Sequence, residues 1–201
     1  MIVVVAALKG GVGKTTTAVY LAALAAGSRR SAILVDADPQ ASSADWIESA
    51  PDGELQAVTP VEAPTDRLLT RALSGVDGEE VAVVDTPPGN ERLLAKAIDL
   101  ADVVIVPARV GGVENARVEA VVGMVPINVP LGLVICSART YTLDFQQAVA
   151  TWAAAAVPLW GTVPERVSIA AGPDGALSND GLDAYRGVWR RVMRATRAID
   201  L

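Results

Sequence analysis

The sequence predicts an α/β fold with a mostly parallel, twisted sheet and helices on both faces. Apolar, β-branched runs near 2–8, 32–36, 81–85, 102–107, 131–137 and 157–163 lack polar alternation, as strands covered on both faces require. Between them, near 14–26, 41–49, 64–74, 90–99, 113–123, 143–154 and 181–199, lie longer stretches with helical spacing. Strand–helix alternation is the signature of parallel crossover connections. The 201 residues, 51% of them apolar, suffice for a core, and no linker is long enough to divide the chain, so one domain over 1–201 is expected.

Composition excludes several function classes. The chain has no histidine, so His-based acid–base chemistry and His-ligated metals are ruled out. Its one cysteine, Cys136 in "LGLVIC", is expected as a small core residue and fits a reducing compartment. The opening "MIVVVAAL" is too short and lacks the basic start of a signal peptide. No apolar run approaches the roughly 20 residues that span a bilayer, and a cytoplasmic location is expected. Net charge is −6, with 11 cations and 17 anions in residues 1–140 and six of each in 141–201. A nucleic-acid surface must then be a local patch toward the C-terminal end.

The first strand, turn and helix carry the strongest motif, "IVVVAALKGGVGKTTTAVYLAALAAG". Gly10, Gly11 and Gly13 let the backbone curl its N–H groups inward, and the helix start adds positive potential. This is a phosphate-binding loop. Lys14 reaches β- and γ-phosphates, Thr15 ligates Mg²⁺, and Thr16 donates to the α-phosphate. Gly27 is the expected C-cap of the helix. The usual glycine five residues before "GK" is replaced by Leu8, with Lys9 beside it. Two of the chain's three lysines thus flank one turn.

The next strands end in carboxylates. "AILVDADPQAS" finishes with Asp36 and Asp38, and "VAVVDTPPGN" with Asp85. Ligand sites of open parallel sheets lie at the carboxyl ends of strands, so all three can converge on the loop. Asp85 has the form of a Walker B aspartate, holding Mg²⁺ through water. Asp36 or Asp38 can bind a metal water or orient the attacking water, which suffices for slow phosphoryl transfer. "APDGELQAVTP" and "GPDGALSNDG" read as surface turns.

Taken in order, "KGGVGKTTTA", "LVDADPQAS" and "VVDTPPG" resemble the ParA/MinD-type deviant Walker ATPases, and within them the small ParA partition proteins. The resemblance implies a P-loop NTPase fold with ATP and Mg²⁺ as cofactors. It makes Lys9 the signature lysine, which crosses an ATP-dependent homodimer interface to the partner's nucleotide. It assigns Lys9, Lys14 and Asp38 to catalysis. Nucleotide binding falls to Lys9, Gly10, Gly11, Val12, Gly13, Lys14, Thr15 and Thr16, and the metal shell to Thr15, Asp36 and Asp85. "SARTYT" is similar to the segment near adenine, which implicates Arg139. "GTVPERVSIAAGPDG" is similar to the stretch flanking the base and the dimer surface, which implicates Pro164 and Arg166. The chain departs from the family in having Ala7-Leu8 before the signature lysine, few basic residues after Arg166, and no helix-turn-helix ahead of Ile2. Operator-specific binding is therefore not expected.

The last element, "GLDAYRGVWRRVMRATRAIDL", is amphipathic. Leu182, Tyr185, Trp189, Val192, Thr196 and Ile199 form one stripe. Arg186, Arg190, Arg194 and Arg197 lie within about 80° of each other, with Arg191 at their edge. Three readings stand: a helix that only covers the sheet, a stripe for nonspecific DNA, or a membrane-surface helix. The functional expectation is an ATP-dependent dimerisation switch of the partition type. It binds nonspecific DNA as a dimer, becomes nucleoid-associated with ATP, and is released when a ParB-like adaptor stimulates hydrolysis. So it would segregate or position a plasmid, a chromosome region or other cargo. The alternatives are a MinD-like membrane-cycling ATPase and a small-molecule phosphotransferase or ligase resembling dethiobiotin synthetase. One cysteine excludes the four-cysteine cluster shared across a nitrogenase iron-protein dimer.

Overall fold

In the computed structural model, which describes residues 1–28, 30–51, 53–170, 172 and 176–197, strands and helices alternate along the chain. The strands are β1 (Ile2–Val5), β2 (Ser31–Asp36), β3 (Val58–Glu62), β4 (Glu80–Asp85), β5 (Val103–Ala108), β6 (Leu131–Ala138) and β7 (Leu159–Pro164). The helices are α1 (Lys14–Gly27), α2 (Ser42–Ser49), α3 (Asp66–Leu73), α4 (Glu91–Asp99), α5 (Gly112–Met124), α6 (Leu143–Ala154), the short α7 (Val167–Ala170) and α8 (Asn179–Arg197). A 3-10 turn at Glu54–Ala57 precedes β3.

The seven strands form one sheet in the order β3-β2-β4-β1-β5-β6-β7. Every pairing is parallel, so the expected "mostly parallel" sheet is parallel throughout. Central strands β1, β4 and β5 are almost wholly apolar and buried, as a doubly covered sheet demands. One core layer holds α1, α2 and α8 against one face, through residues such as Tyr20, Trp46, Tyr185 and Trp189. The other holds α3 to α6, through Leu69, Leu94, Val121 and Trp152. Helix α1 is enclosed: Thr17 to Ala23 are all buried. Its alanines let the sheet, α2 and α8 approach it together.

Most expected elements are present, and the differences have local causes. The first strand ends at Val5, not near residue 8, because Ala6 onward belongs to the loop. Strand β3 begins inside the stretch 50–60 expected as surface turn. It is a five-residue edge strand containing Pro60, where a missing N–H is tolerated. Gly27 is not the C-cap of α1. Ser28 takes that position, its N–H bonding to Ala25 and Ala26 carbonyls and its hydroxyl donating to Ala25 O at 2.6 Å. Thr65, Asn90 and Thr142 cap α3, α4 and α6 by accepting from the third residue beyond. The final helix starts at Asn179, and Ile199 of the expected stripe lies outside the described residues.

Candidate functional site

Strand β1 lies between β4 and β5, so its end is a topological switch point where helices leave to opposite faces. Val5, Asp36 and Asp85 are in register across β1, β4 and β2, and the chemistry-bearing residues finish on one level. From Ala6 to Gly13 the chain turns back over the sheet end. Gly13 adopts φ +102°, and a Cβ there would come within 3.1 Å of Cys136 Sγ. Only glycine meets both conditions. Helix α1 starts with no side-chain cap, which leaves its first amides for an anion.

Lys14 is 6% exposed, and its Nζ donates to the Lys9 carbonyl at 2.8 Å. Burial pulls its pKa down, while the charges of Asp85 and Asp38 partly restore it. Thr15 Oγ1 donates to Asp85 Oδ2 at 2.8 Å. Asp85 is 2% exposed, and its Oδ1 is a buried oxygen with no hydrogen-bond partner. Desolvation pushes its pKa up to about 7, with the Asp36 charge adding and the Thr15 bond opposing.

A buried carboxylate with a spare oxygen beside a threonine hydroxyl fits a hard divalent cation. Among the described residues no group of three or more His, Cys, Asp or Glu is arranged to hold a metal by itself. That suits Mg²⁺, which keeps several waters and takes one or two carboxylates plus phosphate oxygens.

Asp36 and Asp38, alternatives in the sequence, are separated by geometry. Asp36 is fully buried and secures the start of α2. Its Oδ1 accepts from Asp38 N at 2.9 Å. Its Oδ2 accepts from Ser43 N at 2.9 Å, Ser43 Oγ at 2.6 Å and Ala44 N at 3.1 Å. Asp38 instead lines a cavity at this rim, with Oδ1 accepting from Gln40 N at 3.0 Å.

The cavity has a volume of about 340 Å³. Gly10, Gly11, Gly13, Lys14, Thr15 and Thr16 form its phosphate-loop end, with Asp38 and Pro88 alongside. Cys136, Ser137, Val163, Pro164, Ile169 and Tyr185 form the other end, and Arg109 and Arg166 add two cations. Ser137 has φ +50°, where β6 slips register against β7 between Ile135 and Ala138. Pro164 and Arg166 thus line this cavity. Arg139 does not line the cavity; it is exposed and ion-paired with Glu165. Nor does Lys9, which is exposed.

Sequence reasoning missed Arg109 and Tyr185, took Arg139 rather than Ser137 from "SARTYT", and placed Cys136 in the core without seeing that it also walls the cavity. Tyr185 gave no signal beyond its place in an apolar stripe.

On α8, Leu182, Tyr185, Val188, Trp189 and Val192 are buried, while Arg186, Arg190, Arg191, Arg194 and Arg197 are exposed. Arg186 is ion-paired with Asp183. Among the described residues no helix is long and apolar enough to cross a membrane.

Residues 3–177 match the family described as the CobQ/CobB/MinD/ParA nucleotide binding domain. The maintenance of carboxysome distribution protein A of Gloeobacter kilaueensis is 43% identical over 100 residues, covering 49% of this chain and 44% of that protein. Protein ParA of Rhizobium radiobacter is 34% identical over 111 residues, covering 54% of this chain and 48% of the relative. The chain thus spans less than half the length of these two curated relatives. A plasmid partition protein of Borrelia burgdorferi B31, solved with AMPPNP, superposes with a TM-score of 0.78 at 20% identity, over 96% of this chain and 98% of that one. At that identity the likeness concerns the fold.

Proposed function

The chain belongs to the CobQ/CobB/MinD/ParA nucleotide-binding family, and from that premise we propose that it is an ATP-dependent dimerisation switch of the partition type. The observation that carries the proposal is the division of labour between two lysines. Lys14 is buried at the cavity, and Lys9 is exposed outside it. Two copies meeting at this end would bring each exposed Lys9 side chain toward the phosphates held by the other.

Within one copy, the amides of Gly10 to Gly13 and α1 bind the phosphates, together with Lys14, Thr15 and Thr16. Pro164 and Arg166 border the base end, with Arg139 held at the surface by Glu165. Thr15 and Asp85 are the residues that would hold Mg²⁺, which when bound supplies positive charge against the phosphate oxygens. Asp36 supports them from behind by fixing Asp38 and α2. Asp38 orients the water that attacks the γ-phosphorus, and the β–γ bridging P–O bond breaks to leave ADP and phosphate. With no strong base at the site, hydrolysis is slow.

Hydrolysis removes the phosphoryl group that Lys9 contacts in trans, so it weakens the dimer. The exposed α8 arginines supply a sequence-independent surface for DNA phosphates. The acidic balance of residues 1–140 offers a basic adaptor something to bind. The names of the two curated relatives, carboxysome distribution and ParA, support cargo positioning as the outcome. The apolar face of α8 is buried against the sheet and α1, which disfavours a membrane-surface role.

The test measures mass in solution and binding to random-sequence duplex DNA and anionic vesicles, with ADP and with a nonhydrolysable ATP analogue. The expected result is a dimer that binds DNA with the analogue only. In Lys9→Ala, nucleotide binding persists and the dimer is lost. Normal dimerisation of Lys9→Ala would refute the trans role. Vesicle binding would favour membrane cycling, and a monomer that binds neither would favour a small-molecule enzyme.

A further inference from the structure

Arg109 is the first residue beyond β5, which runs between β1 and β6, at the carboxyl end of the sheet. Its backbone is held on both sides. Ala108 is 2% exposed and in register with Ile135, and Val110 packs on the core layer of α3 to α6. The Arg109 side chain is exposed and lines the cavity. The position is thus fixed while the guanidinium stays accessible from the cavity mouth.

The cations of the lining differ in their attachments. Lys14 Nζ donates to the Lys9 carbonyl, and Arg166 Nη1 donates to the Glu165 carbonyl at 3.3 Å. Among the described residues Arg109 has neither a hydrogen bond nor an ion pair. Its charge nonetheless reaches both ends of the cavity. The Cys136 thiol, pushed up in pKa by burial, is drawn partly back by Thr17, Tyr185 and the Arg109 charge. The Glu165 carboxyl, held below its ordinary range mainly by Arg139, also feels Arg109. Cys136 borders Gly13, the residue before α1, and Glu165 follows Pro164 at the end of β7. Asp38 is the one carboxylate among the described lining residues, against the cations Lys14, Arg109 and Arg166. An unpaired guanidinium in such a lining is suited to an anion that enters from outside.

We propose that Arg109 is a phosphate-binding residue, contacting in cis the phosphate chain of the nucleotide held by the loop. The proposal rests on the nucleotide-binding reading above and adds to Lys14 a second cation from the same copy. The two cations differ in kind. Lys14 is a buried point charge inside the loop, whereas Arg109 approaches from the β5 side with a planar fork of N–H donors that matches phosphate oxygens. In the free protein that fork is solvated, so the contact forms when nucleotide enters and contributes to affinity rather than to the fold.

Calorimetric titration of the full chain with Mg-ADP tests this. The diphosphate is used because the dimer is expected only with triphosphate, so a contact in cis is measured alone. Arg109→Ala and Arg109→Gln should each raise the ADP Kd about tenfold or more. Arg109→Lys keeps the charge and should stay within about threefold of wild type. Since the side chain is exposed, the melting temperatures of the free variants should stay within about 2 °C of wild type. Wild-type ADP affinity in the Ala and Gln variants overturns the assignment and leaves the nucleotide reading standing. Arg109→Lys as weak as Arg109→Ala also overturns it, in favour of a planar contact with the base. Wild-type protein that does not bind ADP overturns both readings. If Arg109→Ala does not fold, Arg109→Gln decides.

Discussion

Asp85 shows how a single side chain can be unfavourable for the fold and useful to the site. Its buried, half-satisfied carboxylate raises its pKa from 3.8 to about 7. A raised folded-state pKa means that this group's contribution to stability is fully present below pH 3.8 and is lost as pH rises through about 7. Asp85→Asn keeps the shape without the charge. In metal-free protein, the melting temperature of wild type minus that of Asp85→Asn should therefore fall between pH 4 and 7, the window from about 3.8 to about 7. A flat difference across that window would show that the carboxylate is not strained. Gly10, Gly11, Gly13, Lys14, Thr15 and Thr16, which line the cavity, were legible because they lie almost consecutively in one motif. Arg109 and Tyr185 were not, because each reaches the cavity from a separate element and neither carries a local motif. Asp36 and Asp38 could not be told apart in sequence. The difference lies in which one the N-terminus of α2 captures.

Among the elements, the attachment of α2 depends on Asp36. Asp36→Ala removes the acceptor for Ser43 N, Ser43 Oγ and Ala44 N and should destabilise the protein by about 2–4 kcal/mol in urea denaturation. A loss below about 0.5 kcal/mol would show that water replaces the carboxylate. The α1–α8 contact responds to excess volume. Gly181→Ala places a methyl against the Tyr20 ring and should cost about 1–3 kcal/mol by the same measurement. Helices with polar caps and strands with continuous apolar runs were readable, since their signals are local. Strand β3 was not, because Thr59 and Pro60 close a turn-rich stretch until β2 supplies a partner along one side.

For the whole molecule, charge is what matters. The chain is acidic overall, yet the exposed arginines of α8 gather on one helix. If that helix contacts DNA phosphates, Arg190→Ala with Arg194→Ala should make the log–log salt dependence of DNA binding shallower by about 2. Nucleotide affinity should be unchanged. An unaltered slope would confine those arginines to a solvated face. The sheet order also gathers the site: β1, β2 and β4 end level, so residues 80 positions apart in sequence meet at one rim. That convergence was foreseeable from strand–helix alternation, whereas the covering of α1 by α8 depends on packing between distant segments.

The enclosure of α1 has a consequence for biosynthesis. Its alanine-rich surface, with Tyr20, is covered on one side by a helix some 150 residues further along. At elongation rates of about 5–20 residues per second, the ribosome leaves that side uncovered for roughly 8–30 s. Nascent chains stalled before residue 179 should therefore be retained by chaperones and release as synthesis passes α8. Release before that point would mean that other parts of the chain shelter α1 first.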